Sequence, residues 1–138
     1  MTNSEIADRL RDIRCFLLDM DGTIYLGDKL FDFTKPFLNA VLKTGRTYRF
    51  FTNNSSKNRQ AYLDKLARMG IEIPPEWMYI SNQVAIRILK DRYPGGRMMV
   101  LGTQCLLQDF REAGFQVNTD ARPDAVVLGF DTDITYKD

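Results

Sequence analysis

Two aspartates, Asp19 and Asp21, are the residues of this sequence best suited to chemistry. They follow the apolar residues 15–18 and precede Gly22-Thr23. A carboxylate at the end of a strand can act as a nucleophile or bind a hard cation, and two nearby carboxylates suit Mg²⁺. Acids after a strand are also common as solvated turn residues, but the apolar run and the Gly-Thr pair favour a functional interpretation.

A second polar group, Thr52, Asn53 and Asn54, ends another apolar stretch. The side chains of Asn53 to Ser56 can cap a helix running to about Met69. The first N–H groups of a helix are unpaired and carry the positive end of its dipole, so this segment is a natural seat for a phosphate. By itself it could equally be a capping loop. Beside the aspartate pair, phosphate binding is the favoured interpretation.

The composition excludes several classes of protein. The 138 residues contain no histidine, which rules out Ser-His-Asp and Cys-His catalysis and every zinc site that uses imidazole. With 19 Lys+Arg and 18 Asp+Glu, the net charge of +1 is too balanced for an electrostatic nucleic-acid binder. No run approaches the roughly 18 apolar residues of a membrane span, and the charged start lacks the apolar core of an export signal. Two cysteines are too few for a disulfide scaffold, so we expect a cytoplasmic protein.

Strand-like and helix-like segments alternate along the chain. Strands are predicted at 14–19, at 46–52, up to residue 80, at 97–102 and at 124–130, and helices at 4–12, at 35–43, up to residue 69, at 81–92 and at 104–113. Ser81 is expected to cap the helix that it begins. Repeated βα units predict a parallel, twisted sheet with helices packed on both faces. Functional residues of such sheets lie beyond the carboxyl ends of the strands, where Asp19 and Thr52 both fall.

The clearest break in this pattern is the segment 93–96, Tyr-Pro-Gly-Gly. We place a domain boundary there, which divides the chain into residues 1–93 and 94–138. The first unit carries both polar groups. The second contains a further strand, helix and strand.

The two polar groups resemble the motifs of a known family. Residues 16–23, FLLDMDGT, resemble the first motif of the haloacid dehalogenase-like hydrolases, and residues 50–56, FFTNNSS, resemble the second. Tyr25 and the form TNNSS are similar to the p-nitrophenylphosphatase, or NagD-like, branch. Residues 100–115 and 124–136 are similar to the cap domain of that branch. The resemblance implies a partial Rossmann-type core over the first unit and the first part of an α/β cap over the second.

The resemblance implies a Mg²⁺-dependent phosphomonoesterase that acts on a small phosphorylated metabolite or p-nitrophenyl phosphate. It implies that Asp19 attacks phosphorus to form an aspartyl-phosphate, and that Asp21 protonates the leaving oxygen and then activates water. Mg²⁺ would bind the Asp19 carboxylate and the main-chain carbonyl of Asp21. Thr52 and Asn53, with Asn54 nearby, would hold the phosphoryl group. A carboxylate nucleophile divides a difficult displacement into two steps, and a metal offsets the repulsion between two anions.

The family's third motif, with a phosphoryl-binding lysine, and its fourth motif, with acidic metal ligands, follow the cap in this branch. Lys137 matches neither motif. Asp131 and Asp133 are acids after a strand and so are candidate metal ligands, but they align with the cap entry, which argues against that role. We therefore expect the N-terminal portion of a longer phosphatase. It should be weakly active or inactive, because losing one charge-stabilising group typically costs about 10²–10³ in rate. A partial sheet leaves an open strand edge, which favours a homo-oligomer, a domain-swapped dimer or a poorly stable monomer.

Three other interpretations fit parts of this sequence. A non-catalytic phosphate-binding or regulatory fragment would use the same two loops and is the main alternative. A DxD glycosyltransferase would hold a metal–nucleotide diphosphate, but Gly-Thr after the acids and the TNN strand end argue against it. Cys105 and Arg111 have the Cys-x₅-Arg spacing of thiol phosphatases. The residues between them are typical of an amphipathic helix, so we expect Cys105 to be a packed thiol.

Overall fold

The computed structural model describes residues 2–132. Helices and strands alternate along this part of the chain. The helices are α1 (Asn3–Arg11), α2 (Thr34–Lys43), α3 (Arg59–Arg68), α4 (Ser81–Arg92) and α5 (Gln104–Glu112). The strands are β1 (Cys15–Leu18), β2 (Tyr25–Leu26), β3 (Lys29–Leu30), β4 (Thr47–Thr52), β5 (Met78–Ile80), β6 (Arg97–Leu101), β7 (Gln116–Val117) and β8 (Ala125–Leu128). Over residues 2–132, none of these helices has the length and apolar character that crossing a bilayer requires.

Two three-stranded parallel sheets organise the chain. The first has the order β1-β4-β5, with Leu18 opposite Phe50 and Thr52 opposite Ile80. The second has the order β7-β6-β8. The predicted α/β fold with parallel strands is therefore confirmed. A small antiparallel hairpin of β2 and β3, which the sequence did not predict, follows β1.

Each sheet buries apolar side chains on one face. In the first, alternate residues of β4 and β5 pack against α3 because every second side chain of a strand points to the same face. The buried members of this cluster include Phe50, Met78, Ile80, Tyr62 and Leu66. In the second sheet, β6 packs against α5. The buried members of that cluster include Met98, Val100, Leu106 and Phe110.

Helix α4 connects the two clusters. It follows β5 directly, but Ala85, Ile86 and Leu89 pack against the second cluster. The amide group of Asn82 donates a 3.1 Å hydrogen bond to the Asp109 carboxylate on α5. The division into residues 1–93 and 94–138 stays a prediction. Helix α4 belongs to the first of these units in sequence, but it packs against the apolar cluster of the second.

The opposite faces of both sheets carry exposed apolar side chains. On the first sheet these are Leu17, Phe51 and Tyr79. On the second sheet they are Met99, Leu101, Val126 and Leu128. Among residues 2–132, β1 and β8 each pair with a strand on one side only. Both sheets therefore present an apolar surface beside an open strand edge.

Candidate active site

Asp19 and Asp21 flank a buried residue just beyond the end of β1. Met20 is fully buried, and its carbonyl oxygen accepts hydrogen bonds of 3.0 Å from the amides of Thr23 and Ile24. The aspartates on either side of this anchor are exposed. The Thr23 hydroxyl donates to Asp19 Oδ2 at 3.3 Å. One short turn therefore presents both carboxylates.

Gly22 allows the chain to turn directly after Asp21. Its φ of +79° lies in the left-handed region, which favours glycine because it has no Cβ. Its amide donates a 2.8 Å hydrogen bond to the carbonyl of Tyr25, the fully buried first residue of β2. A side chain at position 22 would strain the turn that fixes Asp21.

Thr52 ends β4, the strand beside β1, and its side chain is buried. The Thr52 hydroxyl oxygen accepts a 3.2 Å hydrogen bond from the Asn54 amide, and Asn54 Oδ1 accepts a 3.0 Å bond from the Ser56 amide. The Asn54 carbonyl accepts a 3.2 Å bond from the Tyr62 hydroxyl on α3. These bonds hold residues 52–54 in a defined turn.

The segment after Thr52 does not begin a helix, which corrects one sequence prediction. Helix α3 starts at Arg59, and its N-cap is Asn58, whose Oδ1 accepts the Ala61 amide at 2.9 Å. Residues 53–56 form a turn because short Asn and Ser side chains compete for nearby backbone amides. The phosphate-seat hypothesis assumed that the free amides of the helix lie directly after Asn53 and Asn54. In the structure these amides lie at the start of α3 instead.

Ser81 also differs from its predicted role. It is the first residue of α4, and the preceding amide, that of Ile80, donates instead to Gln83 Oε1 at 3.3 Å. The Ser81 hydroxyl donates a 3.1 Å hydrogen bond to the Asn53 carbonyl. Ser81 thus ties the start of α4 to the turn that follows β4.

The two loops meet at one cavity. It has a volume of about 430 Å³ and is lined by Asp19, Asp21, Thr52, Asn53, Asn54 and Phe130. β1 and β4 are parallel neighbours, so their carboxyl ends lie at the same sheet edge. The structure brings together all five residues that the sequence singled out, whose roles stay predictions. The lining side chains supply oxygens and amides, without a lysine or arginine in the described cavity.

Phe130 is the residue of this cavity that sequence reasoning missed. It is 58% exposed and follows β8, far along the chain from both motifs. Its amide donates a 2.6 Å hydrogen bond to the Ser55 hydroxyl. The sequence signal for Phe130 was weak. This residue lies beyond the carboxyl end of a parallel strand, but that strand belongs to a different sheet from β1 and β4.

Sequence reasoning also missed a buried lysine, Lys65, which lies close to Asp21. Lys65 Nζ is 4.0 Å from Asp21 Oδ1 and 3.9 Å from Asp28 Oδ1. The same ammonium lies over the Tyr25 ring, 4.0 Å from its centroid. Lys65 follows Tyr62 by about one helical turn, so α3 contacts both loops of the site. The 3.6-residue periodicity of α3, which places Tyr62 and Lys65 on one face of the helix, was the sequence signal that could have identified Lys65.

Two buried tyrosines beside the site stay neutral at physiological pH. Burial raises the pKa of Tyr25, and the negative charge of Asp21 raises it further. Its hydroxyl has no hydrogen-bond partner of good geometry within residues 2–132. Burial also raises the pKa of Tyr62 to about 12, an effect that its hydrogen bond with Thr52 opposes. Neither phenol is therefore suited to act as a base.

The oxygens at this edge fit Mg²⁺. Over residues 2–132 no group of three or more acidic, cysteine or histidine side chains forms a complete metal site. Mg²⁺ does not require one, since it commonly binds one or two carboxylates and completes its shell with water and substrate phosphate. The exposed Asp19 carboxylate and the Asp21 main-chain carbonyl are donors of that kind.

Of the remaining candidates, the structure describes Asp131, Cys105 and Arg111. Asp131 is not among the residues that line the cavity, and Asp133 and Lys137 lie outside the described residues. Cys105 and Arg111 both belong to helix α5, where Cys105 is half-buried, as expected for a packed thiol.

Comparison with known proteins agrees with the two motifs. A family model of the haloacid dehalogenase-like hydrolases matches residues 16–116. An acid sugar phosphatase of Staphylococcus aureus is 30% identical over 128 residues, which cover 93% of this chain and 49% of that protein. The chain thus spans about half the length of the curated relatives it matches.

Solved structures extend the likeness to three dimensions. The 4-nitrophenylphosphatase from Thermotoga maritima is 38% identical, with a TM-score of 0.82 over 91% of this chain and 48% of that one. A glycerol phosphate phosphatase from Mycobacterium tuberculosis, in complex with magnesium, is 26% identical, with a TM-score of 0.78 over 93% of this chain and 39% of that one.

These matches confirm the resemblance drawn from residues 16–23 and 50–56, including its p-nitrophenylphosphatase branch. The family model spans both loops and extends past α5 into β7. Because it covers well over half of the sequence, the chain belongs to the haloacid dehalogenase-like hydrolases.

Proposed function

We propose that this chain carries the nucleophile and the acid–base residue of a Mg²⁺-dependent phosphomonoesterase. The observation that carries the proposal is the single cavity shared by Asp19, Asp21 and the turn at Thr52, Asn53 and Asn54. A phosphoryl group in that cavity would contact a carboxylate nucleophile on one side and neutral hydrogen-bonding groups on the other.

In this proposal the Asp19 carboxylate attacks phosphorus, forming a P–O bond to the aspartate while the ester P–O bond breaks. Asp21, in its protonated form, gives its proton to the departing ester oxygen. The Asp21 carboxylate then takes a proton from water, whose oxygen attacks phosphorus and releases phosphate from Asp19. Both aspartates thereby return to their starting states, and the ester is converted to an alcohol and phosphate.

The turn after β4 would hold the phosphoryl group. Thr52 would contact the phosphoryl group from the end of β4, and its hydroxyl oxygen accepts the Asn54 amide, which fixes the turn. Asn53 is exposed at the cavity, and Asn54 is fixed by its bonds to Ser56 and Tyr62. A preorganised turn of this kind binds without a large ordering cost.

Magnesium would be held by the Asp19 carboxylate and the main-chain carbonyl of Asp21. When bound, it would offset the repulsion between the aspartate and the phosphate dianion. The magnesium complex of the glycerol phosphate phosphatase supports this choice of ion.

Small phosphate monoesters are the substrates that this site suits. Its relatives include an acid sugar phosphatase and a 4-nitrophenylphosphatase, and the open cavity of about 430 Å³ is of the size that holds small ligands. The exposed ring of Phe130 offers an apolar surface to the ester group. We expect p-nitrophenyl phosphate to serve as a test substrate.

We expect this chain alone to turn over slowly. The described cavity has no lysine or arginine in its lining to neutralise a phosphate dianion, and one such group is typically worth about 10²–10³ in rate. The same observation favours the alternative function, a unit that binds phosphate without turnover. The free thiols of Cys15 and Cys105 suit the reducing cytoplasm, and the open edges of β1 and β8 suit a homo-oligomer or a domain-swapped dimer.

Hydrolysis of p-nitrophenyl phosphate with Mg²⁺, compared between the wild-type chain and Asp19→Asn, tests the proposal. Turnover that the substitution abolishes supports Asp19 as the nucleophile. Equal turnover in both proteins contradicts it. Without turnover, binding of beryllofluoride with Mg²⁺, followed by ¹⁹F NMR, decides the matter, because this phosphoryl analogue requires the Asp19 carboxylate. Binding that Asp19→Asn abolishes supports the nucleophile, and absence of binding contradicts it.

A further inference from the structure

Helix α3 places a lysine behind the proposed acid–base residue. Lys65 is 8% exposed, although its neighbour in sequence, Asp64, is exposed. Three groups that attract a cation surround its ammonium at about 4 Å: the carboxylates of Asp21 and Asp28 and the face of the Tyr25 ring.

The burial of Lys65 requires an explanation. Lysine is among the residues least often buried, because removing an ammonium from water is unfavourable unless nearby groups compensate. Arg68 lies one turn further along α3 and is exposed, so the helix also has a solvated position for a cation. The carboxylates and the aromatic face supply the compensation at Lys65.

Asp21 is the partner of Lys65 with a consequence for the site. The Asp28 side chain is 93% exposed in the turn of the β2–β3 hairpin, where an ion pair is screened by solvent. The Asp21 side chain is 48% exposed and lines the cavity. Lys65 is not among the lining residues of that cavity, so its contact acts on the site through Asp21.

We propose that Lys65 is a positioning residue, whose ammonium holds the half-exposed Asp21 carboxylate in a single rotamer at the cavity. An aspartate without such a contact exchanges among staggered χ1 rotamers. Proton transfer requires the carboxyl group within hydrogen-bond reach of the leaving oxygen. The effect on proton transfer rests on the proposed function, whereas the orientation of Asp21 does not.

The orientation is measured directly by NMR. Three-bond couplings from Cγ to the backbone nitrogen and carbonyl carbon report the χ1 rotamers of Asp21 in the folded chain. Lys65→Met keeps most of the side-chain volume but removes the charge, and Arg68→Met removes the same charge from the exposed side of α3. We expect couplings of one rotamer in the wild type and in Arg68→Met, and averaged couplings in Lys65→Met.

Unchanged Asp21 couplings in a folded Lys65→Met chain would overturn the proposal. If the Met variant does not give the dispersed spectrum of a folded protein, the Asp21 couplings are measured instead in Lys65→Gln, which keeps a polar end at this position. Averaged couplings in Arg68→Met as well would also overturn it, because the effect would then not come from the buried ammonium.

Kinetics provide a second test, because a purely structural role of Lys65 would not change the relative rates on two different substrates. p-Nitrophenolate leaves without a proton, whereas an alkoxide needs one. In a chain with Asp19-dependent turnover, Lys65→Met should lower kcat/KM, which reports formation of the aspartyl-phosphate, about tenfold more for glycerol phosphate than for p-nitrophenyl phosphate. Equal losses of kcat/KM on the two substrates would overturn the role in proton transfer to the leaving oxygen. Turnover that survives Asp19→Asn would instead contradict the proposed function, and the rotamer measurement would still decide the orientation.

Discussion

The Ser55 hydroxyl oxygen accepts a 2.6 Å hydrogen bond from the amide of Phe130, a residue 75 positions later in the chain. Gly129 makes this approach possible, since a Cβ there would collide with the Leu106 side chain and lie 3.2 Å from Ser55 Oγ. The bond joins the turn after β4 to the end of β8. It thereby sets the position of the aromatic ring at the mouth of the candidate active site.

Ser55→Ala should release the Phe130 amide. We expect faster hydrogen exchange at that amide and a loss of about 1 kcal/mol in the free energy of unfolding, the usual net value of one hydrogen bond. NMR-detected exchange and urea unfolding measure the two effects. The Gly129 amide, which donates to the Leu101 carbonyl at 2.8 Å, is the internal control and should keep its protection. An unchanged exchange rate at Phe130 would contradict the prediction.

Asp21→Asn should lower kcat for p-nitrophenyl phosphate by about 10²–10⁴, the usual contribution of a general acid–base group. Because this leaving group departs without a proton, formation of the aspartyl-phosphate should survive and its hydrolysis should slow. Rapid-quench measurement should then show a burst of p-nitrophenol before a slow steady state. Asp64→Asn, at an exposed position of α3, is the matched control and should keep the wild-type rate. A wild-type kcat in Asp21→Asn would argue against the assigned role.

Asn58→Ala should destabilise the chain by about 1 kcal/mol, because the variant lacks the oxygen that accepts the Ala61 amide at the start of α3. Asn58→Asp keeps the acceptor and adds a negative charge at the positive end of the helix dipole, so it should be at least as stable as the wild type. Urea unfolding followed by circular dichroism gives both values. Equal stability of Asn58→Ala and the wild type would refute the capping role.

Asp109 should make stability depend on pH in an unusual direction for a carboxylate. Burial raises its pKa above the ordinary value of 3.8, although its hydrogen bond with Asn82 opposes the shift. A raised folded-state pKa means that the folded chain binds this proton more tightly than the unfolded chain. The stabilising contribution is therefore fully present below pH 3.8 and is lost as the pH rises through the folded-state pKa.

Asp109→Asn should abolish that dependence. Relative to the wild type, the variant should gain stability as the pH rises from about 3.8 toward neutrality, because it has no charge to bury. Urea unfolding at a series of pH values measures the difference between the two proteins. Glu112→Gln, a charge change on the same helix, controls for general electrostatics. A difference that does not vary with pH would show that burial at Asp109 has no energetic effect.

The sequence predicted the two loops well because their signals are local. The apolar run before Asp19 and the strand ending at Thr52 are consecutive segments, and parallel neighbours place their carboxyl ends together. The start of α3 was mispredicted because Asn53, Asn54 and Asn58 are all good caps by residue type. Only the folded chain shows that Asn54 bonds to the Ser56 amide while Asn58 caps the helix.

The other omissions have a different origin. The strands of the β2–β3 hairpin have two residues each, which is too short for a recognisable alternation. Phe130 and Lys65 reach the site through contacts between elements far apart in sequence. No window along the chain contains that information, since it arises only when the sheets and α3 pack.

The Thr103 hydroxyl, almost fully buried, donates a 2.9 Å hydrogen bond to the carbonyl of Ser56. Ser56 ends the turn that carries Asn53 and Asn54, so the start of α5 supports that turn. The two sheets should therefore melt in one cooperative transition. A species that kept only the first sheet would retain its aspartates but lose the shaped turn opposite them, so the phosphate binding that we propose would be lost before the helical signal.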